Sequence, residues 1–350
     1  MRKIDITSLV RGNILTLQAY QAKDIPCRVK LDANESPYGL SLQEILGKEG
    51  ATVDLNRYPD PEARRLRGIV ADHFGVGAGN ILFGNGSDEL ITYLVLTFGG
   101  PVLYPVPTFS MYGIISKAVG ERPIEVPLDG SFDIDTKKML AVVRDENPKI
   151  VFLSSPNNPT GNAFSRDRMM QIVRASQGIV VVDEAYQPFS RKKSLLPVLK
   201  EHRNAVIMKT VSKIGFAALR LGFLIAGEEI VNEVNKVRLP YNVNSLSQLL
   251  ATEAFNRAPL IQKSVASIMK ERERLFAALR KMRGITPYPS DANFILFKVS
   301  NAGDFYAKLL ESGILVRNMS GVIKDTLRVT VGTPAENTAF LDAARDALRR

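Results

Sequence analysis

The chain has 350 residues, 45% hydrophobic and 23% charged, and its 46 lysines and arginines against 36 aspartates and glutamates give a formal net charge of +10. That length exceeds a single core of about 250 to 300 residues and predicts two domains, while no apolar run approaches the ~20 residues of a helical membrane span. The basic residues are interleaved with acidic ones, as in Lys-Glu-Arg-Glu-Arg from Lys270, so no nucleic-acid surface is expected; small phosphorylated or carboxylated substrates suit the excess equally well.

The N-terminus, Met-Arg-Lys-Ile-Asp-Ile-Thr-Ser, lacks the continuous apolar stretch of a secretory signal, which makes the cytoplasm the expected compartment. A single cysteine, Cys27, cannot form an internal disulfide, and no metal site is expected. Short β-rich runs then alternate with helical stretches, the pattern of an α/β fold. Strands are expected at 81–83, 101–104, 121–127, 150–153, 179–183, 205–210 and 222–226, several as unbroken apolar runs suited to a sheet covered on both faces. Helices are expected at 87–98, 135–145, 165–176, from 228 with a break at Leu-Pro-Tyr-Asn-Val-Asn, and at 258–283. Further strands at 294–298, 314–317 and 326–331 complete a C-terminal unit. The resulting division is an N-terminal arm with part of a small domain over 1–40, a large domain over 41–255 and the rest of the small domain over 256–350.

Functional punctuation clusters where strands end, which is where open α/β sheets place ligands. At Phe-Gly-Asn-Gly-Ser-Asp-Glu-Leu a glycine turn leads into a helix, with Ser87 as its expected cap and free N–H groups facing an anion. Ser-Ser-Pro-Asn-Asn-Pro-Thr-Gly is a proline-stiffened loop that can aim Asn158 into a cleft. Val-Val-Val-Asp-Glu-Ala-Tyr delivers Asp183 to a strand end, where a buried carboxylate needs a cation, and Tyr186 follows. Thr210 to Gly222 presents Lys213 in a hydroxyl-rich turn with Thr210, Ser212 and, seven residues on, Arg220. An amine for an aldehyde, an acid for a ring nitrogen, donors for a phenolic oxygen and a cradle for a phosphate together match pyridoxal phosphate. Pro-Thr-Phe-Ser-Met-Tyr offers Phe109 or Tyr112 to cover the ring. The two histidines, His73 and His202, lie near no motif, so histidine acid–base catalysis is not expected.

The motifs Ser-Pro-Asn-Asn-Pro-Thr-Gly, Val-Val-Asp-Glu-Ala-Tyr and Ser-Lys-Ile-Gly-Phe-Ala-Ala-Leu-Arg-Leu-Gly resemble those of fold-type I, pyridoxal-phosphate-dependent aminotransferases. More narrowly, Leu-Asp-Ala-Asn-Glu-Ser-Pro-Tyr-Gly at Leu31, Asn-Arg-Tyr-Pro-Asp-Pro at Asn56, Pro-Tyr-Asn-Val-Asn at Pro240 and Leu-Arg-Val-Thr-Val-Gly-Thr at Leu327 resemble the histidinol-phosphate branch of that family. The resemblance implies a large domain with a mostly parallel sheet flanked by helices and a smaller α+β domain. It implies Lys213 as Schiff-base lysine and proton carrier, Asp183 on the ring nitrogen, Asn158 and Tyr186 on the phenolic oxygen, and Tyr112 stacked on the ring. Ser87, Asp88, Thr210, Ser212 and Arg220 would hold the phosphate, joined by Tyr58 of a neighbouring subunit, so a homodimer with shared sites is implied. Arg317 and Arg328, helped by Tyr20, Tyr241 and Asn158, would take the substrates. The activity implied is transamination between L-histidinol phosphate and 2-oxoglutarate, giving imidazole acetol phosphate and L-glutamate, in histidine biosynthesis. An aromatic amino acid aminotransferase and, more remotely, a threonine-phosphate decarboxylase are the alternatives. In many members of the family the arginine follows the lysine by eight positions, one more than the seven here.

Overall fold

A computed structural model describes residues 4–19, 25–46 and 53–349. The strands in chain order are β1 (Val29–Leu31), β2 (Ile81–Gly84), β3 (Val102–Val106), β4 (Pro123–Pro127), β5 (Ile150–Ser154), β6 (Ile179–Asp183), β7 (Ala205–Thr210), β8 (Gly222–Ala226), β9 (Ile285–Pro287), β10 (Phe294–Val299), β11 (Ile314–Asn318) and β12 (Thr326–Thr330). The helices are α1 (Gly12–Leu15), α2 (Leu42–Leu46), α3 (Arg64–Phe74), α4 (Ser87–Phe98), α5 (Met111–Val119), α6 (Thr136–Glu146), α7 (Arg166–Ala175), α8 (Glu228–Asn235), α9 (Ser245–Asn256), α10 (Ala258–Arg280), α11 (Ala302–Glu311) and α12 (Pro334–Arg349).

A seven-stranded sheet runs β2-β8-β7-β6-β5-β3-β4. The strands from β7 to β4 pair parallel, and β8 lies antiparallel to both β7 and β2. Period-2 alternation sorts the central strands onto two cores. Ile150, Phe152, Val181, Val206 and Met208 pack with α4, α5 and α8, whereas Val151, Leu153, Val180, Val182 and Ile207 pack with α6 and α7. Both faces are therefore covered, which is why these strands read as unbroken apolar runs. Each fully buried aliphatic side chain contributes about 1.5 to 3 kcal/mol. Helix α6 starts where Asp135 accepts the Lys138 N–H and α7 where Ser165 accepts that of Arg168.

A second, five-stranded sheet runs β1-β11-β12-β10-β9 and packs with α10, α11 and α12. Its edge strand β1 comes from the N-terminal segment and pairs parallel with β11, Val29 opposite Ile314. Residues 29–31 thus join strands formed almost 300 residues later. The carboxyl ends of β5, β6 and β7 and the segment after β3 meet at one cleft, and the second sheet closes that cleft from the other side with β11 and β12.

Candidate active site

The cleft holds a cavity of about 340 Å³ between the two sheets. Residues at the ends of three adjacent parallel strands line it: Ser154 of β5, Asp183 of β6 and Thr210 of β7, followed by Ser212 and Lys213. Ser87, Asp88 and Arg220 close one end, Arg317, Met319, Val322 and Arg328 the other, and Asn158, Tyr186, Phe109 and Asn34 complete the wall.

Asp183 is 4% exposed, and its carboxyl is pushed up from 3.8 to about 6. Burial is the main cause and Asp88 adds to it; hydrogen bonds from the Tyr112 hydroxyl (2.6 Å to Oδ2) and the Ala185 N–H (3.0 Å to Oδ1), with the Lys213 charge, act in the opposite sense. A carboxylate so desolvated is relieved by a cation brought against it. Lys213 stands in a short 3-10 turn after β7, its Nζ 5.9 Å from the centre of the Tyr186 ring. Thr210 Oγ1 lies 2.9 Å from Ser212 Oγ and 3.0 Å from the Leu221 carbonyl, so it ties the end of β7 to the returning loop.

Between Lys213 and Arg220 the backbone turns through left-handed Gly215 (φ 110°) and Arg220 itself (φ 48°). The seven-residue spacing therefore still returns the guanidinium to the glycine turn, 3.6 Å from Asp88 Oδ2. A Cβ at Gly86 (φ 86°) would sit 2.8 Å from the Arg220 Nη2, and one at Gly222 would sit 2.8 Å from the Ser87 nitrogen. Only glycine permits this close approach. The expectation that Ser87 caps α4 is corrected: Gly86 occupies the N-cap with no side-chain bond, and Ser87 is the first helical residue. The first N–H groups of α4 therefore face the cavity without a capping side chain. Asp88 Oδ1 is buried there with no hydrogen-bond partner.

Asn157 and Asn158 divide their work. Asn157 is fully buried and staples the loop through Pro107, Thr108 and Thr160. Asn158 lines the cavity, and its Oδ1 accepts from Arg328 Nη1 at 2.5 Å, which leaves the amide N–H groups for the cavity. Arg328 also donates to the Asp32 carbonyl at 2.8 Å and lies over the Phe294 ring. Its cross-strand neighbour on β11 is Arg317. Two guanidinium groups side by side at one end of a cavity could hold an anion, which would offset the repulsion of like charges placed opposite each other.

Two expected residues fall elsewhere. Tyr112 does not cover the cavity: it is fully buried in the first turn of α5, stacked on Phe152 (4.6 Å, 5°) behind Asp183. Burial and the adjoining carboxylate hold its hydroxyl well above the usual phenol range, so it acts as a neutral donor. Phe109, packed edge-on against Tyr112, lines the cavity wall in its place. Tyr241 does not line the cavity of its own chain; it stacks on Tyr58 at 4.6 Å, and the two are 42% and 81% exposed. Tyr20 lies outside the described residues. Sequence reasoning missed Asn34, whose only signal was its place in the Leu-Asp-Ala-Asn-Glu-Ser-Pro motif, and Met319 and Val322, which carry none.

Among the described residues no cluster of His, Cys, Asp and Glu could hold a metal ion, and no helix is long and apolar enough to cross a membrane. The model of the family "Aminotransferase class I and II" matches residues 22–343, and the chain belongs to that family. Within it, the chain is 40% identical to a histidinol-phosphate aminotransferase of Aquifex aeolicus, over 97% of this chain and 98% of that one. It is 41% identical to the histidinol-phosphate aminotransferase of Thermoanaerobacter pseudethanolicus, over 98% and 99%. Its fold is shared with the histidinol-phosphate aminotransferase of Sinorhizobium meliloti solved in complex with pyridoxal-5'-phosphate (TM-score 0.88, 23% identity, 98% of each chain). An L-threonine-O-3-phosphate decarboxylase of Porphyromonas gingivalis also shares it (TM-score 0.79, 22% identity, 92% of this chain and 100% of that one).

Proposed function

We propose that this cavity binds pyridoxal phosphate and that the protein transfers an amino group between L-histidinol phosphate and 2-oxoglutarate. The observation that carries the reading is a cavity with an anion site at each end, the α4 turn with Arg220 and the Arg317–Arg328 pair, and a lysine and a buried acid between them. The residues fit the cofactor. Asp183 is buried with its carboxyl raised despite the Lys213 charge, which a protonated ring nitrogen would offset, and the helix N-terminus has N–H groups for a phosphate. Asn158 and Tyr186 would hold the phenolic oxygen, and Phe109 would cover the ring. When bound, the cofactor supplies an electron sink for breaking the bond between hydrogen and the amine-bearing carbon. The chain's own work is to hold each group in place and to carry the proton on Lys213 Nζ.

The guanidinium pair accepts either the phosphate of one substrate or the carboxylate of the other, since its donor fork matches both. The relatives at 40% and 41% identity support histidinol phosphate as the amine. Steady-state kcat/KM for histidinol phosphate should exceed that for phenylalanine by at least about tenfold, or ~1.4 kcal/mol. A reversed preference would favour aromatic amino acids, and carbon dioxide released from O-phosphothreonine would favour a decarboxylase.

The same reading makes the protein a homodimer in which Tyr58 enters the partner's cavity. Support comes from the stacked, exposed Tyr58 and Tyr241 together with exposed Leu55, Leu239 and Leu246 nearby in sequence. Mixing inactive Lys213→Ala subunits with Tyr58→Ala subunits and allowing exchange should regenerate intact sites, up to about a quarter of all sites for random pairing. No gain over the unmixed activities, with exchange verified, removes the shared-site arrangement.

A further inference from the structure

Asn34 is 2% exposed, lines the cavity and has left-handed backbone (φ 56°), a conformation asparagine tolerates better than most residues. It lies between β1 and α2, in the segment attached to the second sheet, yet its side chain reaches Tyr186, which follows β6 of the first sheet. Its contacts fix where hydrogens sit. The Asn34 N–H donates to Thr330 Oγ1 at 2.9 Å, so the Thr330 hydroxyl has its own hydrogen to give, and it gives it to Asn34 Oδ1 at 3.3 Å. With the amide oxygen so engaged, the Nδ2 end is the one that faces Tyr186, donating to its hydroxyl oxygen at 3.0 Å. The Asn34 carbonyl accepts from Asn293 Nδ2 at 2.9 Å, which anchors the backbone. Tyr186 is thus an acceptor on the Asn34 side, and among the described residues no hydrogen bond takes its own proton. The proton is left for the cavity, where Lys213 and Asp183 are the nearby charged groups.

We propose that Asn34 is a positioning residue that directs the Tyr186 hydroxyl proton into the cavity, making Tyr186 an obligatory donor to the phenolic oxygen of the bound cofactor. The inference rests on the reading of the cavity as a pyridoxal phosphate site. A donor at that oxygen disperses its negative charge, so losing the donor makes the cofactor's imine hold its proton more tightly. The readout is therefore the pH midpoint at which the bound cofactor changes colour, independent of turnover.

Holoenzyme of the wild type, Tyr186→Phe, Asn34→Asp and the double variant is titrated by absorbance. Tyr186→Phe should raise the midpoint by about one pH unit. Asn34→Asp keeps the side chain's shape but replaces the donor with an acceptor, which draws the tyrosine proton away from the cavity, and should raise the midpoint similarly. Added to Tyr186→Phe it should raise it by less than about a third of its shift in the wild-type background, because the group it acts through is gone. A midpoint unchanged in Tyr186→Phe overturns the cofactor placement itself. A normal shift in Tyr186→Phe with none in Asn34→Asp overturns the proposal alone, as does an Asn34→Asp shift of equal size with and without the tyrosine, which marks a plain charge effect. If Asn34→Asp does not fold, Thr330→Val removes the hydroxyl that fixes the amide's orientation; it should move the midpoint in the same direction, and no movement overturns the proposal.

Discussion

Asp183→Asn should stabilise the cofactor-free protein at pH 8, leave it unchanged or weaker at pH 4, and cost roughly 10² to 10³ in kcat. The sign follows from the carboxyl being raised from 3.8 to about 6 in the fold. A raised carboxyl favours the folded state fully only below about 3.8, and that contribution is lost as pH rises through about 6. Above that the buried carboxylate costs about 3 kcal/mol relative to its protonated form. An amide removes this cost but has one oxygen for two donors, Tyr112 and the Ala185 N–H, which takes back about 1 kcal/mol. About 2 kcal/mol of net gain should remain near pH 8. Thermal melts of the cofactor-free variant and wild type at pH 4 and pH 8 check it, and equal differences at both pH values would refute the burial argument. In the loaded enzyme the variant would lose the charge proposed to keep a ring nitrogen protonated, so stability and activity should move in opposite directions.

Lys213→Ala should lower turnover by about 10⁴-fold or more, since in the proposed function one side chain supplies both the covalent attachment and the proton carrier. The variant should still bind pyridoxal phosphate, because the phosphate turn, Asp183 and Phe109 are untouched. Borohydride treatment followed by denaturation should then release all the cofactor, whereas the wild type should retain it covalently. A reducible adduct in the variant would mean that another lysine holds the cofactor.

The strand ends were legible because the chemistry and the fold use the same signal. Runs such as 150–154, 179–183 and 205–210 are apolar on both faces and stop where a polar residue meets the cleft, so Asp183 and Lys213 announce both a strand end and a site. Two helices of the first half of the chain were harder to place. Helix α3 begins after Ala63 in a left-handed conformation, with the Arg64 N–H on the Asp60 carboxylate four residues earlier, and α5 begins after Ser110, whose side chain makes no cap. The start of α5 is also why Tyr112 rather than Phe109 was expected on the cavity wall. Phe109 lies just before α5 and Tyr112 in its first turn, so which aromatic reaches the cavity depends on where the helix starts. Residues contributed across long separations left the weakest trace. Asn34 matters through Thr330 and Tyr186, 296 and 152 positions away, and no local pattern encodes either contact.

Lineage and engineering meet the two ends of the cavity on unequal terms. At Gly222 even one added carbon would strike the backbone of the Gly86–Ser87 turn at 2.8 Å, so that end is closed to variation. At the other end Met319 and the exposed Val322 sit on the connection between β11 and β12, where side chains can be exchanged without disturbing a core. A chain built this way can drift from one amine to another by edits to a few residues of a hairpin while its cofactor stays put, and selection for a new substrate should accumulate its changes there.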